Sequence, residues 1–343
     1  MRDYSFFGAV SVLIVLSIIV LGSIAPKLFP LYFIYIFLGL AAFAIFSGLD
    51  FDAWAIFYKH FYIVAVFLLI LPLLIGQISR GATRSIPIGP LTIQPAEIVK
   101  PFLLLFSAKF IFAKEVNLFR FLQLIFLLAG PILLILIQPS LGVAALFMAG
   151  FCGVILASPI DKKIIMLFII LSIVSLPITW HFLAPYQKLR VSSFLFPARD
   201  IYGAGYNSLQ SMIAVGSGKF FGRGLGQGVQ TQLAFLPERQ TDFIFAATAE
   251  ELGMVGAILL IGGLIFVLYK IIKVTETSAS PVARAFAGGV FLTLFFQVFV
   301  HIGMNMGLLP ITGVPLPLVS AGGSSLVATM IMLAMVVGAK KKL

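Results

Sequence analysis

The chain has 343 residues, of which 61% are hydrophobic and only 10% are charged. A soluble domain carries about 25% charged residues, because all of its surface faces water. This composition excludes an ordinary soluble domain and predicts an integral membrane protein. A net charge of +11 would point to nucleic acid in a soluble protein. Here the basic residues stand mainly in short gaps between apolar runs, so we predict that they set membrane topology and that nucleic acid is not a partner.

Ten apolar runs approach the length of about 20 residues that a membrane-spanning helix needs. We therefore predict an all-α polytopic membrane protein of about ten transmembrane helices, built as a single domain over residues 1–343. The first run is too long for a cleavable signal peptide, and further runs follow at once, so we expect it to remain as the first span. In chain order the runs are 6–23, 28–46, 54–75, 95–112, 120–137, 141–158, 163–184, 243–269, 285–307 and 319–338.

The distribution of basic residues predicts which side each connection faces. If the N-terminus is inside, the short cytoplasmic stretches hold 13 of the 23 basic residues, and the short outer stretches hold three. Six more lie in the long stretch 185–242, which can cross the membrane regardless of its charge. The positive-inside rule therefore predicts both termini in the cytoplasm and the 185–242 loop, between spans seven and eight, on the extracytoplasmic side.

Long connections in compact proteins are usually functional or disordered, and we expect the 185–242 loop to be functional. It keeps aromatic anchors, and its apolar piece 201–215 is suited to a re-entrant or interfacial helix. The glycine-rich run 222–228 lacks the preceding strand of a dinucleotide-binding motif, so we interpret it as a mobile loop with basic residues suited to phosphate.

Metal-ligand spacing is not visible in the sequence. The single cysteine, Cys152, lies inside an apolar run, which excludes an internal disulfide and a cysteine metal cluster. The three histidines, His60, His181 and His301, are far apart in the chain. We therefore predict no metal site built from the protein's own side chains.

Two opposite charges stand at the start of the fourth predicted span. Glu97 and Lys100 are three residues apart, so on a helix they share one face and can form an ion pair. A charge within the bilayer is costly, by about 2.5–3.5 kcal/mol or more, and usually has a partner and a function. Two interpretations remain open: the pair locks helices together, or it lines a cavity that opens outward.

Asp242 stands where the 185–242 loop enters the eighth predicted span. One interpretation is a helix N-cap, for which Asp is favoured. The other is a functional acid. Glu250 follows eight residues later on roughly the same face, and an N-cap does not require a second acid two turns deeper. Six basic residues in the same loop also place Asp242 in a region of net positive charge.

Six segments carry a recognisable pattern when they are taken in order. They are QPAEIVK at 94–100, QPSLG at 138–142, YQKLR at 186–190, GAGYNSLQSMIAVGSG at 203–218, GVQTQLAFLPERQTDFIFAATAEELG at 228–253 and GLLPITGVPLPLVSAGGSS at 307–325. With these residues the chain resembles the SEDS family, which contains RodA, FtsW and SpoVE. The resemblance covers nearly the whole chain, and the ITGVPLP stretch is similar to the RodA branch.

The resemblance implies a peptidoglycan glycosyltransferase that polymerises lipid II, an undecaprenyl-diphosphate-linked glycan, at the outer face of the bacterial cytoplasmic membrane. It also implies a role in cell shape and elongation and a class B penicillin-binding protein as partner. In this family the aspartate of the TDF motif is the proposed catalytic residue, here Asp242. The family's acid and lysine in QPAEIVK, here Glu97 and Lys100, are counted among its essential groups.

Four positions depart from the family pattern. Ser140 stands where the family usually has Asp, Gln240 where it has His, His301 where it has Asn, and Ala321 where it has Tyr. The change at position 140 removes any role for an acid there. Because none of the changes touches Asp242, we expect an active enzyme with a divergent pocket.

We hypothesise that Asp242 is the general base for an inverting glycosyl transfer, and that basic residues of the loop neutralise the substrate diphosphates. Glu97, Lys100 and Glu250 would shape the floor of the cavity, and Thr241 would adjoin the base. We predict no certain cofactor, and allow a divalent cation (Mg or Mn) bound with the diphosphate. The predicted substrate-binding residues are Glu97, Lys100, Arg190, Lys219, Arg223, Arg239, Thr241 and Glu250.

Two rival functions fit the same composition. A transporter that flips lipid II also needs many helices and charges within the membrane, and it would move lipid II across a bilayer without making polymer. A non-catalytic scaffold for a partner synthase would tolerate the loss of Asp242 but not changes on its helix faces.

Overall fold

The structure is a computed structural model that describes residues 4–79, 82–182, 184–196 and 203–339. Helices make up most of the described chain. They are α1 Tyr4–Ile24, α2 Phe29–Gly48, α3 Phe51–Ile56, α4 Tyr58–Ile75, α5 Pro95–Ile98, α6 Lys100–Phe112, α7 Leu118–Ile137, α8 Leu141–Leu156, α9 Lys162–Phe182, α10 Pro185–Leu195, α11 Ala204–Ser217, α12 Val229–Gln232, α13 Ile244–Thr277, α14 Pro281–Asn305 and α15 Gly323–Gly338.

Each of the ten predicted spans contains a helix, so the prediction of a mainly helical membrane protein is confirmed. Within the described residues, six helices are long and apolar enough to cross a membrane: α1, α2 with the 3₁₀ turn before it, α4, α7, α13 and α14. The protein is therefore a multi-pass membrane protein. The number of ten spans, the N-in/C-in topology and the single domain stay predictions.

Large apolar side chains cover the outside of the bundle. Phe126 is 79% exposed, Leu74 is 74% exposed and Phe37 is 69% exposed. A soluble protein rarely presents such continuous apolar surface to water. Since hydrocarbon, unlike water, imposes no penalty on these side chains, their exposure is what a helix surface facing lipid requires.

A small three-stranded sheet precedes α5, and the sequence analysis did not predict it. Its strands are β1 Gln77–Ser79, β2 Ala82–Ile88 and β3 Leu91–Ile93, paired antiparallel in the order β1-β2-β3. Gly89 and Pro90 join β2 to β3, with Ile88 opposite Leu91. Gly89 has φ +60°, which suits the first central position of a two-residue hairpin turn. This small sheet is an addition to the helical fold class that the sequence predicts.

The predicted 185–242 loop is not a bare loop. It contains α10, α11 and the short α12. The apolar piece predicted over 201–215 forms a helix from Ala204 to Ser217, while its first residues lie outside the described chain. Whether this helix is re-entrant or interfacial stays a prediction.

Helix α13 has a sharp kink at Gly253, where φ is +67° and ψ is −160°. The glycine-rich segment packs its backbone into this kink. Met254 N–H donates to the carbonyl of Lys219 at 2.9 Å, and Arg223 N–H donates to the carbonyl of Glu250 at 2.9 Å. Gly222 also lies against the kink. Close backbone packing therefore explains Gly222 and Gly253, and the mobility predicted for the 222–228 run stays a prediction.

Replacing Gly253 by Ala is expected to destabilise the protein strongly. An added Cβ would lie 2.2 Å from the amide nitrogen of Gly222, and the positive φ is itself unfavourable for a residue with a side chain. Thermal melting of the purified protein measures the effect. Gly262→Ala is the matched control, because Gly262 lies in the same helix with open space around it. We expect the control to be neutral or stabilising by about 0.5–1 kcal/mol, and equal melting of the two variants would contradict the role of the kink.

Candidate active site

The segment that ends in Asp242 is anchored through three consecutive backbone carbonyls. The carbonyl of Gln240 accepts from Ala321 N–H at 2.9 Å. The carbonyl of Thr241 accepts from Ser320 Oγ–H at 2.7 Å. The carbonyl of Asp242 accepts from Asn305 Nδ2–H at 3.0 Å. These bonds fix the main chain of the segment, and the Asp242 side chain is half-buried.

Asp242 is not the N-cap of the helix that follows. Helix α13 begins at Ile244, and its N-cap residue is Phe243, which supplies no side-chain cap. The N–H of Ala246, in the first turn, donates instead to Asn305 Oδ1 at 3.0 Å. Asn305 on α14 therefore accepts the hydrogen bond from a first-turn N–H, which is what an N-cap side chain normally does. The N-cap interpretation of Asp242 is wrong.

Arg190 is the predicted cation that the structure places beside Asp242. Both side chains approach Gly313: a Cβ on this glycine would lie 3.5 Å from Asp242 Oδ2 and 4.0 Å from Arg190 Nη1. Arg190 Nη1 also donates to the carbonyl of Thr312 at 3.3 Å. Gly313 has φ +70°, which favours glycine, and it is exposed. A carboxylate and a guanidinium thus both lie near one accessible point of the backbone.

Thr241 directly precedes Asp242 in sequence, but its hydroxyl hydrogen-bonds within the turn that starts at Glu238. Thr241 Oγ donates to the carboxylate of Glu238 at 3.2 Å. Glu238 has φ +53°, and its carbonyl accepts from the N–H groups of Thr241 and Asp242, both at 3.0 Å. These contacts form a tight turn that delivers Asp242 to its position.

Glu250 binds a segment other than the one that carries Asp242. Its carboxylate is fully buried and accepts from Gln230 N–H at 2.9 Å and from Thr231 N–H at 3.0 Å. The neighbouring Glu251 accepts from Ser23 Oγ–H at 2.8 Å and from Gln232 Nε2–H at 2.9 Å. The two acids therefore hold residues 226–232 against the end of α1. The structure gives Glu250 a structural contact, and its predicted place on the cavity floor is not supported.

Glu250→Gln is expected to lower the melting temperature of the protein. A carboxylate can accept from both N–H groups, whereas the amide of Gln presents one acceptor and one donor, so that one buried N–H loses its partner. Such a loss costs about 1–3 kcal/mol. Glu276→Gln is the matched control, because Glu276 is an exposed acid on the same helix. Melting of Glu250→Gln at the temperature of the control would contradict this role.

The other three predicted cations lie along the connection that leads to Asp242. Lys219 is exposed and has φ +49°. Arg223 is exposed, and its Nε donates to Ser217 Oγ at 3.1 Å. Arg239 is partly buried, and its Nε donates to the carbonyl of Ile24 at 3.2 Å. The described side-chain contacts of Arg223 and Arg239 are to Ser217 and Ile24, and the binding of phosphate by all three cations stays a prediction.

The predicted pair between Glu97 and Lys100 is confirmed. Lys100 Nζ lies 2.7 Å from Glu97 Oε2, and the two side chains are 1% and 3% exposed. The ammonium and the carboxylate are therefore in direct ion contact. Because both side chains are buried, the pair is not open to an outward cavity in this conformation. The contact itself fits the interpretation that the pair locks helices together.

The turn before this pair joins three parts of the chain. Gln94 Nε2 donates to Ser140 Oγ at 3.2 Å, and Gln94 N–H donates to Ser324 Oγ at 2.8 Å. Pro95 occupies the first turn of α5, where its missing N–H costs no hydrogen bond. Ser140, where the family usually has an acid, therefore serves as a neutral hydrogen-bond partner for the segment that carries the ion pair.

Sequence reasoning missed the part that α14 plays at the site. Gln297, His301 and Asn305 are spaced by four residues on one helix face, and all three are fully buried. The spacing of three polar residues within an apolar helix was the available signal. It gave no indication of their partners, because these lie in segments distant in sequence.

The fold and this site define a multi-pass membrane protein with a carboxylate and a cation held at the inner end of a long connection. A family model described as "Cell cycle protein", for FtsW, RodA and SpoVE, matches residues 4–343. The chain belongs to this family, as the resemblance predicted.

Individual relatives agree with this assignment. The chain is 41% identical over 287 residues to the peptidoglycan glycosyltransferase MrdB of Escherichia coli (strain K12), an alignment covering 82% of this chain and 76% of the relative. It is 35% identical over 301 residues to the stage V sporulation protein E of Bacillus subtilis (strain 168), covering 85% and 81%.

Solved structures share the fold. A chain from a study of how a peptidoglycan synthase complex coordinates polymerization and crosslinking superposes with a TM-score of 0.84 at 29% identity, covering 98% of this chain and 96% of that chain. The rod shape determining protein RodA of Thermus thermophilus superposes with a TM-score of 0.73 at 26% identity, covering 98% and 95%.

Proposed function

We propose that this protein is a peptidoglycan glycosyltransferase that polymerises lipid II into glycan strands, with a role in cell shape and elongation. The similarity to peptidoglycan glycosyltransferase MrdB supports the reaction, and the similarity to RodA supports the role. The observation that carries the proposal is the placement of the Asp242 carboxylate and the Arg190 guanidinium next to the same residue, Gly313. This arrangement offers one base and one cation at an accessible point.

Asp242 is the general base in the proposed mechanism. The reaction joins the 4-hydroxyl of one sugar to the anomeric carbon of another and releases the lipid diphosphate. A hydroxyl is a poor nucleophile near neutral pH, so a positioned carboxylate that takes its proton accelerates attack, typically by roughly 10²–10⁴-fold. Attack from the face opposite the diphosphate inverts the anomeric carbon. Diphosphate leaves without protonation once its charge is neutralised, so one carboxylate is sufficient.

Arg190 is the best-placed group to neutralise the diphosphate. Its guanidinium stands at the same glycine as the base, and a guanidinium can bind two phosphate oxygens at once. Lys219, Arg223 and Arg239 extend positive charge along the connection from α11 to α13 and would attract the anionic substrate. Glu97, Lys100 and Glu250 are buried inside the bundle, so they are proposed to stabilise the fold rather than to contact the sugar.

A divalent cation, Mg²⁺ or Mn²⁺, is proposed to accompany the substrate diphosphate. Among the described residues, no group of three His, Cys, Asp or Glu side chains lies close enough together to hold a metal ion. Such an ion would therefore arrive with the phosphate oxygens, and its chemistry would be neutralisation of the leaving group's charge.

The proposed location is the bacterial cytoplasmic membrane, with the site on the extracytoplasmic side. The excess of basic residues in the short connections assigned to the cytoplasm supports this orientation. The proposed partner is a class B penicillin-binding protein. The similarity to a chain from a peptidoglycan synthase complex, whose study joins polymerization to crosslinking, supports a transpeptidase beside this chain.

Polymerisation of lipid II by the purified protein in proteoliposomes, with and without the partner transpeptidase, tests the function. We expect glycan polymer from the protein, with more of it when the partner is present. Movement of lipid II across the bilayer without polymer would instead identify a flippase. Polymer that depends only on the partner, and not on this chain, would identify a scaffold.

A further inference from the structure

Asn305, at the end of α14, bridges the Asp242 segment to the helix that follows it. Its amide nitrogen donates to the carbonyls of Asp242 at 3.0 Å and His301 at 2.7 Å. Its amide oxygen accepts from Ala246 N–H at 3.0 Å. An amide side chain has two N–H donors and one acceptor oxygen, so both donors and the acceptor are engaged. The residue is fully buried.

The same face of α14 also binds the segment 312–315 around Gly313, which we call the Arg190 wall because Arg190 contacts it. Gln297 Nε2 donates to the carbonyl of Pro315 at 2.7 Å. His301 Nδ1 lies 2.8 Å from the carbonyl of Val314, and because a carbonyl only accepts, the imidazole nitrogen carries the proton there. The polar stripe of α14, defined as Gln297, His301 and Asn305, therefore binds two segments that are far apart in sequence.

One of these segments carries Asp242, and the other is the segment that Arg190 contacts. Asn305 fixes the main chain of Asp242, and the other two residues of the stripe fix the main chain just after Gly313. Arg190 reaches the same wall through the carbonyl of Thr312 at 3.3 Å. A helix is stiff over the two turns that separate Gln297 from Asn305, so the stripe sets the distance between the carboxylate and the wall against which the guanidinium lies.

We propose that Asn305 is a positioning residue for the Asp242 carboxylate, and that the polar stripe of α14 fixes the Asp242 segment and the Arg190 wall relative to each other. The inference rests on the proposed role of Asp242 as general base. A displacement of about 1 Å of a reacting group can lower the rate about 100-fold. Loss of positioning lowers kcat, whereas the contacts that hold the diphosphate, and hence KM, are retained.

Two variants test the proposal from different sides. Asn305→Leu keeps a similar volume and removes the hydrogen bond to the carbonyl of Asp242. Ser320→Ala removes the hydroxyl that binds the carbonyl of Thr241. Thr293→Val is the matched control. Thr293 is buried on the same helix, and its hydroxyl donates to the carbonyl of Gly289 within that helix at 2.9 Å. Each protein is purified, checked by thermal melting, and assayed for kcat and KM on lipid II.

We expect Asn305→Leu to lower kcat by roughly 10- to 100-fold with KM within about twofold, Ser320→Ala to lower kcat by a smaller factor, and the control to match the unaltered protein. An unchanged kcat in a folded variant, or a rise in KM alone, overturns the proposal. If one variant does not fold, the kcat of the other variant tests the proposal. If neither variant folds, the contacts serve folding alone and the proposal is overturned. Asp242→Asn, assayed in parallel, separates the two hypotheses: high activity there contradicts the base itself.

Discussion

Asp242→Asn is expected to lower lipid II polymerisation by roughly 10²–10⁴-fold while the protein stays folded. Asparagine has nearly the same shape, but its amide cannot take a proton from the attacking hydroxyl. The fold is expected to survive because the described anchors at this segment bind the carbonyls of Gln240, Thr241 and Asp242, and these main-chain groups are unchanged. Polymer length and rate on gels, together with thermal melting, measure the two effects separately.

Asp161→Asn is the matched control for this experiment. Asp161 is an exposed carboxylate at the start of α9, where its side chain accepts from Lys163 N–H at 2.9 Å, and asparagine can accept the same bond. We expect the control to polymerise lipid II normally. Near-normal polymerisation by folded Asp242→Asn would contradict the general-base role and would favour a scaffold.

Lys100→Met is expected to destabilise the protein by about 3–5 kcal/mol, because it leaves the buried carboxylate of Glu97 without its cation. Methionine has a similar length and adds no strain, so the loss reports on the charge. Both partners are almost fully buried, at 1% and 3% exposure, and water screens neither of them. Thermal melting in detergent measures the change. Lys114→Met, at an exposed lysine beyond the end of α6, is the matched control and is expected to melt normally.

Exchanging the two charges, as Glu97→Lys with Lys100→Glu, is expected to restore most of the lost stability, since opposite charges again share one helix face. The activity of the exchanged protein separates the two interpretations of the pair. Full polymerisation means that the pair locks helices together, as its burial indicates. Restored melting without polymerisation means that the site depends on which charge stands at each position. Melting as low as that of Lys100→Met would contradict the ion pair itself.

Local patterns in the sequence were sufficient to predict the membrane class, the helices and the contact between Glu97 and Lys100. The scarcity of charge required a lipid-facing surface, and each apolar run of about 20 residues forms a helix because its backbone must be satisfied internally. The pair of Glu97 and Lys100 followed from a spacing of three residues, which a helix fixes without help from any other segment. Asp242 was singled out by its place and by the family resemblance.

Contacts between distant segments decided the rest. Asp242 looked like an N-cap from its neighbours, but α14 contributes Asn305 to the first turn of α13, from 59 residues along the chain. Glu250 looked like a partner of Asp242 from helical spacing, but the kink at Gly253 and the segment packed into it draw its carboxylate to Gln230 and Thr231.

The sequence by itself therefore determined the membrane class, the helical segments and the acid that we propose as the base. Only the tertiary structure decided what holds that acid in place and which cation stands beside it. The physical reason is that hydropathy and helical periodicity act over a few residues. The hydrogen bonds that position Asp242 join residues 240–242 to residues 305–321, and no local pattern specifies such a pairing.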